Sequence, residues 1–123
     1  MTADALAHGA TLFNQGLYWE AHEAWEELWL ELEDDPKLFV QGLIQVAAGY
    51  FKATVQMQPR GCVKLLTTAL QKLDPMPPDF MGVETQRFLP AVRHTLAEAH
   101  RWLAGEIPFI DRALLPKVEL IVG

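Results

Sequence analysis

The chain has one cysteine, Cys62, so no internal disulfide framework holds it together, and a lone thiol fits a reducing compartment. Its apolar runs stop short of the roughly 18 residues that a membrane helix needs, and no charged segment followed by an apolar stretch marks a secretory leader. The expectation is a cytoplasmic protein with no membrane partner. Positive charge is also scarce: 10 Lys and Arg stand against 16 Asp and Glu, a net charge of −6. That is the wrong sign for general contact with nucleic acid, so no nucleic-acid partner is expected. Several signatures are missing as well: a Gly-rich phosphate loop, a Gly-x-Ser-x-Gly elbow, a Cys-x-x-Cys pair and the aromatic-basic motif of RNA readers. The common enzyme classes are therefore unsupported, and catalysis remains an open question at this level.

Two further shortages are local. Leu17 to Asp35 contains no Lys or Arg but carries Glu20, Glu23, Glu26, Glu27, Glu31, Glu33, Asp34 and Asp35. Pro36 to Leu73 reverses the bias, with Lys37, Lys52, Arg60, Lys64 and Lys72 and not one Asp or Glu. The asymmetry directs attention to the place where an acidic, tryptophan-rich helix meets a glutamine-bearing neighbour. The complementary charge is satisfied either within one chain or between two copies, which makes a homodimer one arrangement to test.

At 123 residues the chain reads as one helical domain, residues 1–123, long enough to bury about two-thirds of its unfolded surface. Half its residues are hydrophobic, with four Trp and six Phe, which excludes disordered and fibrous classes. The apolar period is helical almost throughout. The first helix is predicted from about Ala3 to Asn14, capped by Thr2 or Asp4 and stopped at Asn14-Gln15-Gly16, where the glycine takes a left-handed turn. The second runs from about Tyr18 to Glu33. Asp34-Asp35-Pro36 forms a turn that opens the third, which reaches about Gln56, with Pro36 suited to a first helical position. Gln58-Pro59 starts a fourth, ending near Asp74 before the non-helical Pro75-Met76-Pro77-Pro78. A fifth spans about Glu84 to Leu103, with Pro90 in its early turns. The tail after Gly105, apolar and twice broken by proline, is expected to lie extended over the bundle. The fold class is all-α: a compact array of about five helices built from antiparallel hairpins.

At about 100° per residue, Tyr18, Ala21, Trp25, Leu28, Trp29 and Leu32 form the core stripe of the second helix, with Glu20, Glu27 and Glu31 opposite. His22, Glu26 and Glu33 lie on the border. His22 and Glu26 are spaced i, i+4 and reach a common point. The third helix is apolar nearly all round except for Gln41, Gln45, Lys52 and Gln56. Gly42, Gly49 and Ala53 beside that stripe admit a close neighbour, at a propensity cost of about 1 kcal/mol per glycine. If the two helices form a hairpin, Gln45 lies level with Trp25 and Glu26, and Lys52 with Tyr18 and His22. A polar layer of His22, Glu26 and Gln45, joined by Glu23, Gln41 and Lys52, follows. Trp19 lies off the core stripe and is the aromatic suited to recognition. Cys62 shares an apolar face with Leu65, Leu66 and Ala69 and reads as packing. His94 and Glu98 read as a solvent-face pair.

The run Phe13-Asn14-Gln15-Gly16-Leu17-Tyr18-Trp19-Glu20-Ala21-His22-Glu23-Ala24-Trp25-Glu26, followed by Gln41-Gly42-Leu43-Ile44-Gln45-Val46-Ala47-Ala48, resembles the bacterial and archaeal family known as domain of unknown function 309. The likeness is dense over residues 12–48 and continues more weakly through Pro59-Arg60-Gly61 and Phe80-Met81-Gly82-Val83-Glu84. It implies a compact array of about five helices, with Glu20, His22, Glu23, Glu26, Gln41 and Gln45 at the family's signature polar positions. It implies no substrate or reaction. Phe51-Lys52 and Gln58 stand where family members often carry a His and an Asn, which weighs against a His-rich metal site.

Three readings of the polar residues follow. His22-Glu23-Ala24-Trp25-Glu26 is His-Glu-x-x-Glu, one ligand short of the zinc-protease helix, so one reading is a metal-assisted hydrolase with His22 and Glu26 as ligands and Glu23 as general base. A di-iron site fails because no His follows a Glu by three residues. A second reading is a hydrogen-bonding network that fixes two helices. The third, preferred, is a binding or scaffolding module whose pocket, lined by Trp19, Glu20, His22, Glu23, Glu26, Gln41 and Gln45, holds a small polar ligand or a protein segment. It calls for no cofactor and no metal.

Overall fold

The structure, a computed structural model, describes Thr2–Ile121. Five α-helices follow in order: α1 (Thr2–Asn14), α2 (Tyr18–Trp29), α3 (Asp34–Thr54), α4 (Pro59–Leu73) and α5 (Thr85–Leu103). Each packs mainly on its neighbours in sequence, as short connections dictate for the first four. Single 3₁₀ turns at Phe80–Gly82 and Arg112–Leu114 occupy the longer connection and the tail. Among the described residues no helix is long and apolar enough to cross a membrane.

Most boundaries follow local chemistry. Gly16 ends α1 with φ +79, a left-handed conformation that costs glycine little. Pro59 opens α4 at a position whose missing N–H would have had no partner. The Glu84 carboxylate caps α5 by accepting from the Arg87 backbone N–H. Thr2 and Asp4, expected as caps, both lie inside the first turn of α1.

The second helix differs from expectation. It ends at Trp29 rather than Glu33, and its exit is tightened by bonds from the Glu31 N–H to Leu28 O and from the Leu32 N–H to Trp29 O. Glu33 is extended and Asp34 is left-handed (φ 56). The acidic run explains the early stop. Carboxylates are unfavourable at the negative end of one helix dipole and favourable at the positive start of the next, where Asp34 and Asp35 now sit. Pro36 falls within that first turn rather than at its first residue. Pro90 is the sixth residue of α5 and is accommodated inside the helix, leaving the Gln86 carbonyl without an intrahelical donor.

The core is aromatic and shared by all five helices. Phe13 of α1 lies 5.1 Å from Tyr18, 5.8 Å from Trp25, 5.8 Å from Tyr50 and 6.1 Å from Phe88, centroid to centroid. The Trp25 indole donates to Leu6 O across α1 and α2, and the Tyr50 hydroxyl pairs with Thr95 Oγ1 across α3 and α5 at 2.8 Å. Small residues set the closest approach: a Cβ at Gly42 would meet Leu73 at 2.7 Å, and one at Gly49 would meet Leu66 at 2.9 Å. These α3 glycines therefore serve α4. Cys62 is fully buried in that contact, and burial pushes its thiol up to about 12, so it is an inert packing residue as expected.

The tail lies over the bundle. Val118 is buried, its N–H bonds Asn14 Oδ1 at 2.7 Å and its carbonyl accepts from Asn14 Nδ2 at 2.9 Å. Glu84 N–H to Glu119 O and Ile121 N–H to Gly82 O join the tail to the connection before α5. Replacing Asn14 with Ala removes both side-chain partners of one backbone unit. Stability is expected to fall by about 1–3 kcal/mol, with faster hydrogen exchange at the Val118 amide; unchanged protection there would show that the tail is held by its apolar contacts alone.

Candidate functional site

The α2–α3 hairpin brings the border residues of the two helices together. A cleft of about 350 Å³ is lined by His22, Glu26, Trp29 and Leu30 from the α2 side and by Gln41, Ile44 and Gln45 from α3. Four of the residues singled out from the sequence thus share one wall-to-wall space. The i, i+4 spacing places His22 Nε2 3.9 Å from Glu26 Oε1, within ion-pair range and longer than a hydrogen bond. The imidazole is mostly covered, at 18% side-chain exposure against 46% for the carboxylate.

Glu20, Glu23 and Trp19 lie elsewhere. With Phe51 and Gln56 they line a separate groove of about 530 Å³. The single polar layer expected from the sequence is therefore divided in two, with His22 as the hinge between the parts. Its ring stacks on Trp19 at 4.7 Å and 10°, and Trp19 leans on Phe51 at 5.2 Å. Glu33 joins neither space because α2 has already ended. Lys52 does not come to His22: its ammonium donates to Gln58 Oε1 at 3.1 Å, and its stem lies against Gly61 of α4. A long flexible side chain follows the acceptor it finds, and here that acceptor is the residue that precedes α4.

Two lysines not singled out for the site contact residues of the cleft instead. Lys72 of α4 donates to Gln45 Oε1 at 2.9 Å, which leaves the Gln45 amide nitrogen as the free donor of that side chain. Lys37 sits 4.3 Å from the Trp29 ring centroid, a cation–π contact. Trp25 is core, as expected, whereas Trp29 divides between core and cleft. Lys37 was within reach of a hairpin argument, since it lies across the same turn from Trp29. Lys72 had no signal in α2 or α3 and needed the α3–α4 contact to be known. In α5, Glu98 pairs with Arg101 at 3.1 Å, not with His94.

Two buried side-chain atoms lack a hydrogen-bond partner among the described residues, His22 Nδ1 and Trp29 Nε1. Both belong to residues that line the cleft. As a donor set for metal the site is sparse: His22 and Glu26 approach each other, but among the described residues no third His, Cys, Asp or Glu joins them.

Residues 6–65 match the family model described as Domain of unknown function (DUF309). These 60 of the chain's 123 residues are similar to the DUF309 family. The DUF309 stretch runs from α1 into α4 and contains every residue that lines the cleft and the groove, while Lys72 and the tail lie beyond it. No curated protein matches the chain.

Proposed function

We propose that this protein is a binding module whose α2–α3 cleft holds a small polar ligand or a short segment of a partner. The observation that carries this reading is that the two residues with an unpartnered buried nitrogen, His22 at Nδ1 and Trp29 at Nε1, both line one cleft. Folded proteins pair nearly all such groups, and each one left unmade costs about 1–3 kcal/mol. Both atoms are covered by protein, so a ligand reaches them only as the rings turn toward the cleft: an acceptor then takes the indole N–H, and a donor takes the imidazole nitrogen. Ile44 and Leu30 supply apolar walls, and the amides of Gln41 and Gln45 supply orientation, the usual composition of a small-molecule site.

The metal-hydrolase reading is less well served by the same geometry. Catalytic zinc sites use three protein ligands and keep one position for water, and the cleft brings His22 and Glu26 alone. Glu23, the base that reading requires, lines the neighbouring groove.

The test uses Trp29→Phe, which deletes the orphaned N–H together with the fused second ring. Thermal stability is expected to stay within about 1 kcal/mol of wild type, because removing an unsatisfied buried donor offsets the lost ring contacts. In ¹⁵N-labelled protein screened with small carboxamides and amino alcohols, the wild-type Trp29 indole signal is expected to shift, and His22→Ala is expected to weaken that response about tenfold. Loss of stability in both variants with no responding fragment would instead make His22 and Trp29 a helix-fixing network.

A further inference from the structure

We infer that the groove beside the cleft is a shelf for an arginine side chain carried by a partner protein. It is lined by Trp19, Glu20, Glu23, Phe51 and Gln56. Trp19 is 44% exposed, unusual for the largest apolar side chain, yet it is not loose. His22 stacks on it at 4.7 Å and Phe51 leans on it at 5.2 Å, so its position is held before anything binds and little side-chain entropy remains to be lost.

The carboxylates beside it are unspent. Glu20 and Glu23 are exposed, and neither forms an ion pair among the described residues. No Lys or Arg occurs in the sequence between Leu17 and Asp35 to neutralise them. Lys52, the neighbouring cation on α3, is held by Gln58 on the side of α4. Glu23 is one turn on from Trp19 and shares its face of α2, with Glu20 adjacent. An aromatic plane flanked by two carboxylates and an amide suits guanidinium better than ammonium, because guanidinium is planar, stacks on aromatic faces and donates two parallel hydrogen bonds to a carboxylate. The charge bias that opens the sequence thus acquires an occupant.

This inference shares only His22 with the cleft, through its stacking on Trp19. It is tested with ¹⁵N-labelled full-length protein and two capped pentapeptides, Gly-Gly-Arg-Gly-Gly and the same peptide with citrulline, which keeps the shape and loses the charge. The arginine peptide is expected to shift the Trp19 indole signal with a Kd of about 1 mM, and the Glu20→Gln/Glu23→Gln variant to raise that Kd about tenfold. Both substitutions are at exposed positions that leave the fold intact. Trp29→Phe, which alters the cleft, is expected to leave the arginine response unchanged, so the two sites fail or hold separately. Equal responses to arginine and citrulline, or no response at Trp19, would overturn the inference. Concentration-dependent self-association that disappears in the Glu20→Gln/Glu23→Gln variant, without an arginine response, would overturn it too, by giving the shelf to a second copy of the chain.

Discussion

Replacing Gly9 with Ala is expected to lower the stability of the fold by about 2–4 kcal/mol, although the same change on an exposed helix face would raise it by about 1 kcal/mol. The reason is the Trp25 indole, which packs against α1 at Gly9: a Cβ there would fall far inside van der Waals contact with the ring atoms Nε1, Cδ1 and Cε2. Trp25 is fully buried, and a stiff ring in a filled core has nowhere to retreat. Moving it also breaks the bond from its Nε1 to Leu6 O and strands a buried donor. Urea unfolding of Gly9→Ala, Trp25→Phe and the double variant measures the coupling. The smaller Phe ring restores room for a methyl, so the double variant is expected to be less destabilised than the sum of the two by at least about 1 kcal/mol. Strict additivity would place the cost of Gly9→Ala somewhere other than the α1–α2 contact.

Above pH 9 the fold is expected to lose stability steeply. Burial raises the Cys62 thiol from its ordinary 9.0 to about 12, so the folded state keeps its proton where the unfolded chain has already lost it. Fewer protons are then bound in the unfolded state, which makes the slope of stability against pH negative. The contribution is intact below pH 9 and declines by about 1.4 kcal/mol per pH unit as pH approaches 12. Tyr50 adds to the loss above pH 10: burial raises its phenol, with the Thr95 hydrogen bond opposing in part. Urea midpoints at pH 8, 9 and 10 read the cysteine together with a smaller share from Tyr18 and Tyr50, which are half ionised in the unfolded chain at pH 10. The decline from pH 9 to 10 is expected to shrink by about half in Cys62→Ala, at the expense of a lower stability at pH 8 from the small void. A flat profile to pH 10 in the wild type would mean that the thiol is reached by solvent.

Much of this molecule was legible residue by residue. Gly16, Pro59 and the prolines after Asp74 punctuate the chain because their backbone restrictions operate in any context. The burial of Tyr18, Ala21, Trp25 and Leu28 followed from the helical period, since an apolar stripe has to be covered by something. The approach of His22 to Glu26, and their sharing of a cleft with Gln41 and Gln45, followed from spacing within a helix and from the short turn between two helices. These are local facts or one step from local.

Other features depended on what came from a distance. The end of α2 at Trp29 was decided by two helix dipoles competing for one acidic run, which the apolar period of α2 does not register. Its level in the hairpin places Lys52 beside His22, but its ammonium goes to Gln58, because a long side chain samples neighbours on every side and finds an acceptor just before α4. Lys72 reached Gln45 only because Gly42 and Gly49 let α4 settle closely on α3. Glu20 and Glu23 were separated from the cleft by the stacked rings of Trp19 and His22, a matter of ring orientation and not of spacing. The chain's periodicity, its breakers and its charge bias determined an all-α fold and marked the helix pair that carries the polar residues. Which side chains meet there, and that they line two spaces in place of one, was decided by tertiary packing, because contact between side chains of different helices depends on distances and rotations that no single helix contains.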